Sequence, residues 1–273
     1  MKHRDNNAVI QSIFPVMSCK HIERGLCSAI AFCFIFFAGP TLSQTLSAHF
    51  SLEKSLPHRP QAIVIGFVGG FIAHDNPVHS EVQLAARLRK EYPTGVVVET
   101  FESYRGEKAH QEILKLLDTN QDGTLTAAEK RNARIIIYGH SWGAAQTIYL
   151  ARALKMDGIP VLLTVQVDSV SRPGGNDTTI PSNVEQAANF YQPHGLVHGH
   201  HDIHAADAAR TRIIGNFRFD YQASTLKCSE YPWYDRILVK PHTQIECDPV
   251  VWNQVESLIR SNLTPPGHIV NTH

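Results

Sequence analysis

Three stretches of this 273-residue chain gather residue types that can do chemistry. "GHSWG" (139–143) sets a serine between two glycines, "DTNQDGTLTAAE" (118–129) strings side-chain oxygens around one glycine, and "HGLVHGHHDIHAAD" (194–207) concentrates histidine. A serine hydroxyl is a weak nucleophile until a base takes its proton, and the base needs a carboxylate to orient it. The surroundings of Ser141 suit that task. An apolar run, "ARIIIYG", leads in as a strand and "GAAQTIYLARAL" leads out as a helix. Such a strand–turn–helix setting lifts a serine clear of the backbone. A glycine-rich turn carrying an idle serine is the plain alternative.

The partners are expected later in the chain, acid before histidine. Asp168 closes the strand-like "VQVDSV", on the same edge as Ser141, and His242 sits in "KPHTQIECDP", read as a loop before the last helix. Asp220, at the end of "NFRFD", is the rival acid, and Asp168 also reads as a strand-end cap of its own loop.

In residues 118–129, Asp118, Asn120 and Asp122 place oxygens at positions one, three and five of a calcium-loop pattern. Gly123 permits the bend at six, Thr124 offers its carbonyl at seven, Thr126 stands at nine, and Glu129 at twelve can give two oxygens. Ca²⁺ in a structural role is the cofactor this implies; an acidic turn without metal is the alternative. The outgoing helix is short, and no second loop pairs with this one. In the histidine stretch, His200 and His204 have helical i,i+4 spacing, with Asp202 and Asp207 nearby. No third ligand stands at motif spacing, so a solvated loop bordering the site is preferred over zinc.

The elements that must position these residues follow from periodicity. Strands are expected at 62–67, 95–101, 133–139, 160–167 and 211–219. Helices are expected at 80–92 (with a serine cap), 107–117, 143–154, 183–191 and 249–263, the last with proline in its first turn. Near-continuous apolar strands separated by helices mean an α/β fold with a mostly parallel sheet covered on both faces. Its site belongs beyond the strands' C-terminal ends. One domain, 61–263, is expected, with the oxygen-rich loop inserted at 118–129.

Composition narrows the partners. Formal net charge is zero, with 25 basic and 25 acidic residues, which gives no footprint for nucleic acid. Residues 26–38, "LCSAIAFCFIFFA", are apolar, preceded by Lys20 and Arg24 and followed by small residues. That describes a secretory signal, with 1–48 as signal and leader and Met17 as an alternative start. A secreted or periplasmic protein is expected. Membrane association is expected only if this segment stays uncleaved as an anchor. Cys228 and Cys247 are then the cysteines of the mature chain, and one disulfide is the simplest use of them in an exported protein; two free thiols are the alternative.

On "GHSWGAAQ", "VDSVSRP…IPSNVEQAANFYQ" and "HTQIECDPVVW", the chain resembles the α/β-hydrolase superfamily, close to its bacterial lipase and esterase-like members, from about 61 to 263. The resemblance implies a serine hydrolase with Ser141 as nucleophile, His242 as general base and Asp168 as orienting acid. It implies an oxyanion hole from the Trp142 N–H and one from "GFVGGF", at Gly70 or Phe71, with Gly69 less favoured. Residues 118–129 resemble an EF-hand-type calcium loop, which implies that Leu125, at position eight, turns inward. The chain lacks an HGGG-type loop and a large lid insertion. Trp142, Phe67 and Phe71 are candidates for an apolar acyl pocket. The substrate class is then a small-molecule or lipid ester. Two rivals stay open: a non-catalytic calcium-binding module on the same fold, and an amidase or peptidase using the same three residues. A bridge between Cys228 and Cys247 would pin the loop carrying His242.

Overall fold

The computed structural model describes residues 60–263; the signal, the leader, Cys19, Cys27 and Cys33 lie outside the described residues. The chain begins with strand β1 (Ala62–Val68), helix α1 (Ser80–Glu91), β2 (Val96–Glu102), α2 (Gly106–Leu117) and the short α3 (Ala127–Arg131). It continues through β3 (Ile135–His140), α4 (Trp142–Met156), β4 (Val161–Val167), β5 (Thr179–Ile180) and β6 (Val184–Tyr191). Then come β7 (His204–Ala205), β8 (Arg212–Arg218), α5 (Trp233–Leu238), α6 (Lys240–Cys247) and α7 (Pro249–Leu263).

Six strands form one sheet in the order β2-β1-β3-β4-β6-β8, every neighbouring pair parallel. Alternation along β1 shows how both faces are filled. Ala62 and Val64 pack on the face covered by α1 and α7, with Leu84, Leu88, Trp252 and Ile259. Ile63, Ile65 and Phe67 pack on the face covered by α2 and α4, with Ile113, Ile148 and Leu154. Leu125 packs against that second cluster, as the resemblance implied. A parallel sheet buried on both faces, with helices as crossovers, is the α/β architecture expected from the sequence.

Three expectations need correction. Residues 183–191 form β6, not a helix, and β6 lies between β4 and β8. Ala187–Phe190 are buried on both faces of the sheet, so the alternation that marks a half-exposed strand is hidden there and the alanines mimic a helix. His242 lies on α6, not in a loop. The cap of α1 is His79, whose side chain makes no capping bond, rather than a serine.

Strand order determines where a site can form. From β1 the chain crosses outward to β2, then returns past β1 to β3. The reversal between β1 and β3 opens a crevice at their C-terminal ends. Gly69 follows β1 and Ser141 follows β3, so both stand at its edge.

Candidate active site

Ser141 sits between the end of β3 and the start of α4 with φ 57° and ψ −125°. A non-glycine residue held there is strained, and such strain persists only where the surroundings over-determine it. The restraints are visible. Ser141 N donates to Val167 O (3.0 Å), and Ser141 O accepts from Ala145 N and Val170 N (both 3.2 Å). The glycines on either side are required by close approach: a Cβ on Gly143 would stand 2.3 Å from Phe67 O, and one on Gly139 2.6 Å from Gly143 O. The turn is therefore pressed against β1, and its side chain projects into the crevice.

Asp168 follows β4 in the same way that Ser141 follows β3, since His140 and Val167 are register partners. Fully buried, with φ 45°, Asp168 is surrounded by donors. Its Oδ1 accepts from Gly199 N (2.7 Å) and Gln192 N (3.2 Å). Its Oδ2 accepts from Gln192 Nε2 (2.8 Å) and from His242 Nδ1 (2.6 Å). With Nδ1 donating, Nε2 of His242 is the ring nitrogen left to accept a proton. The rival Asp220 is exposed and pairs with His194 (3.2 Å) and Arg218 (3.1 Å).

Ser141 and His242 line one cleft of about 440 Å³ with Gly69, Gly70, Trp142 and His140. Ile72, Val170, Val197 and Val239 supply apolar wall, and the size suits a small organic ligand. On the oxyanion side, Ile72 N donates to Gly69 O (3.2 Å), closing a turn with Gly70 at φ +50° and Phe71 at its tip. Two acyl-pocket candidates fall away. Phe67 is wholly buried in the core, and Phe71 is 81% exposed, meeting Trp142 edge-on at 5.3 Å. Trp142 remains on the cleft wall. A second hollow of about 510 Å³, between residues 224–228 and α5–α6, shares only Thr243 with the cleft.

Sequence reasoning missed a group beside Ser141. His79, Glu81, His140 and Glu246 are all buried, and His79, His140 and Glu246 line the cleft. His79 Nδ1 lies 2.5 Å from Glu246 Oε1, and the His140 ring packs on the His242 ring at 4.5 Å. Burial raises the Glu81 carboxyl well above the usual range and pushes Glu246 up to about 8. Burial also drives His140 well down. No spacing in the sequence marks these residues, which come from three separate elements.

Cys228 and Cys247 are joined as a disulfide, with Cα atoms 5.7 Å apart. The histidine stretch does not gather a metal set: His200 faces Asp177 (3.2 Å), His204 faces Thr179 (3.0 Å), and His204 is in a strand. The helical spacing of His200 and His204 therefore has no meaning here. The loop serves instead as backing for Asp168 through Gly199.

The oxygen-rich loop enters at the N-terminal end of β3, opposite Ser141. Gly123 takes φ +81°, Asp118 Oδ2 accepts from Gly123 N (2.9 Å), and Asp118 Oδ1 and Asn120 Oδ1 both accept from Asp122 N (3.2 Å). Asp122 Oδ1 accepts from Thr124 N (2.8 Å). Thr126 and Glu129 form a reciprocal capping box on α3. Hydrogen bonds from Thr119 and Thr126 hold the Glu129 carboxyl down at about 2. The hard oxygen donors and the bend fit a calcium ion. Among the described residues, however, the one histidine, cysteine or carboxylate trio with ligand atoms within 4.8 Å of one another is His79, Glu81 and Glu246. Asp118, Asp122 and Glu129 therefore have to draw closer to share an ion.

No family model and no curated relative matches the sequence. Solved structures similar to the chain include a cutinase-like protein from Cryptococcus sp. (11% identity, 74% of this chain and 95% of that one, TM-score 0.38). An acetyl xylan esterase matches at 10% identity over 75% and 99% of the two chains, TM-score 0.35. The RedJ thioesterase of the prodiginine pathway in Streptomyces coelicolor matches at 12% over 77% and 97%, TM-score 0.34. Scores this low leave the chemistry to be argued from the site itself. Among the described residues, no helix is long and apolar enough to cross a membrane.

Proposed function

We propose that the protein is a serine hydrolase that cleaves carboxylic esters through an acyl-enzyme on Ser141. The observation that carries this reading is the strained Ser141 turn opening into the same cleft as a His242 whose Nδ1 is held by Asp168. His242 Nε2 takes the Ser141 proton as Oγ attacks the carbonyl carbon, then returns it to the leaving oxygen; water repeats the cycle to release the acid. Asp168 holds the tautomer and offsets the charge that forms on the imidazole. The Trp142 N–H, at the start of α4, and the N–H of Gly70 or Phe71 stabilise the tetrahedral oxyanion.

The apolar wall of the cleft favours a small acyl group. Helix α5, beside it, turns Trp233, Ile237 and Leu238 to solvent, each more than 60% exposed, which favours an apolar or lipid ester as substrate. The disulfide fits the exported, oxidising setting inferred from the N-terminal segment. Calcium, held by Asp118, Asn120, Asp122, the Thr124 carbonyl, Thr126 and Glu129, braces the crossover into β3 and takes no part in the ester chemistry.

Labelling with a fluorophosphonate, together with a panel of aryl and acyl esters and matched amides, tests the reading. Wild type is expected to label and to turn over short esters, and Ser141→Ala to do neither. Ester turnover that survives Ser141→Ala unchanged would overturn the mechanism, and a wild type that neither labels nor turns over any ester would favour the non-catalytic module.

A further inference from the structure

We propose that His79, Glu81 and Glu246, with His140 as fourth donor, bind a divalent transition-metal cation of the zinc type directly behind the cleft. His79 and Glu81 come from the start of α1, His140 from the last position of β3, and Glu246 from α6. Each of the first three offers a ligand atom within 4.8 Å of the other two. His140 Nδ1 stands 3.4 Å from Glu246 Oε2 and 3.9 Å from Glu81 Oε1. Ligand atoms around a tetrahedral zinc with bonds of ~2.0–2.2 Å lie about 3.3–3.6 Å apart. Small side-chain shifts, chiefly a widening of the His79–Glu246 contact, place all four around one ion.

The strongest observation is what these groups lack. Glu81 is fully buried, and what meets its carboxyl is its own backbone N–H and a second carboxyl, Glu246, with no hydrogen bond of good geometry to either oxygen; His140 is 3% exposed and neither ring nitrogen makes a hydrogen bond of good geometry. Buried polar groups are otherwise nearly always satisfied, and an uncompensated buried carboxylate is expensive. A divalent cation cancels two carboxylates while accepting lone pairs from two neutral imidazoles. That mixed nitrogen and oxygen set suits zinc or cobalt better than calcium or magnesium. Four protein donors in a buried setting leave no open position for water, so the ion is a brace rather than a second hydrolytic centre. It would tie α6, the helix that carries His242, to α1 and β3.

The site stands independently of the hydrolase reading, because metal content and ligand-field spectra need no turnover. Protein isolated without chelator is expected to carry about one zinc per chain by plasma mass spectrometry. After stripping, Co²⁺ should give the intense visible bands of a four-coordinate ion, and Zn²⁺ should raise the melting temperature by several degrees. Glu81→Gln and Glu246→Gln should each lower metal content at least tenfold and abolish the cobalt bands. Asp118→Ala, in the separate oxygen-rich loop, should leave both unchanged. If Glu81→Gln fails to fold, His79→Gln, at the rim of the cluster, takes its place. Uptake by these variants equal to wild type would assign the metal to the chain's other histidines and overturn the proposal. So would a stripped wild type that takes up no Co²⁺, does not respond to Zn²⁺, and melts no higher than Glu81→Gln; the two carboxyls then share a proton.

Discussion

His242 Nδ1 donates to Asp168 Oδ2 across 2.6 Å, and the same oxygen accepts from Gln192 Nε2 at 2.8 Å. Asp168→Asn retains the shape but presents an amide where a carboxylate was, so His242 loses the acceptor that selects its tautomer. The expected outcome is a fall in kcat toward short esters of about 10⁴-fold. Stopped-flow or steady-state assay checks it; a variant within tenfold of wild type would show that another acid orients the ring.

Gln192 does not line the cleft and reaches the site through Asp168, which makes it a positioning residue. Its side chain bridges Asp168 Oδ2 and Val197 O (3.0 Å). Losing a hydrogen bond to a carboxylate is worth about 1.5–3 kcal/mol, roughly 10–100-fold if it falls on the barrier. Gln192→Ala is therefore expected to lower kcat by that factor with KM little changed. Gln192→Glu should be worse than Gln192→Ala, because it sets a second carboxylate against Asp168. If the two variants lose melting temperature but not kcat, Gln192 is only structural.

These two residues show what was legible in sequence and what was not. Ser141, Asp168 and the flanking strands could be read because each lies at the end of an apolar run, where local pattern and tertiary position coincide. The strand that delivers Gln192 reads as a helix, since burial of its second half on both faces erases the alternation and Ala187 and Ala188 add helix character. Glu81 looked like an ordinary acidic residue in the first turn of a helix, a favourable and common place for one. Its burial depends on α6 closing over α1, and His79 and Glu246 are 167 residues apart. Contacts of that range leave no local periodicity to find.

The disulfide bears on the base. Cys247 ends α6, and Cys228 lies 19 residues upstream, on the chain leading into α5. Cross-linking a loop of that length stabilises by about 3 kcal/mol in the chain-entropy account. Most of the sheet's core lies elsewhere, so reduction is expected to loosen α5–α6 and lower ester turnover at temperatures where the far-ultraviolet circular dichroism is still native. Cys228→Ser with Cys247→Ser should reproduce that loss. Free labelling of both thiols without reductant would remove the premise.

Calcium should act on stability and not on chemistry, because residues 118–129 meet β3 at the end opposite Ser141. Lone extracellular-type loops bind with dissociation constants of roughly 0.1–1 mM. Saturation at about 10 mM calcium then contributes roughly 1.5–3 kcal/mol, a rise of several degrees in melting temperature. Asp118→Ala removes one ligand, the acceptor for the Gly123 N–H and one of the two acceptors for the Asp122 N–H. It should therefore melt lower even without calcium, so the informative quantity is the calcium-induced shift, large in wild type and absent in the variant. Asn120→Ala, which removes one of the two acceptors for Asp122 N, should lose most of the shift with a smaller drop in calcium-free stability. In both variants kcat is expected within about twofold of wild type, since no residue of the loop lines the cleft. A wild type whose melting temperature ignores calcium would leave the capping box of Thr126 and Glu129 as what holds the loop.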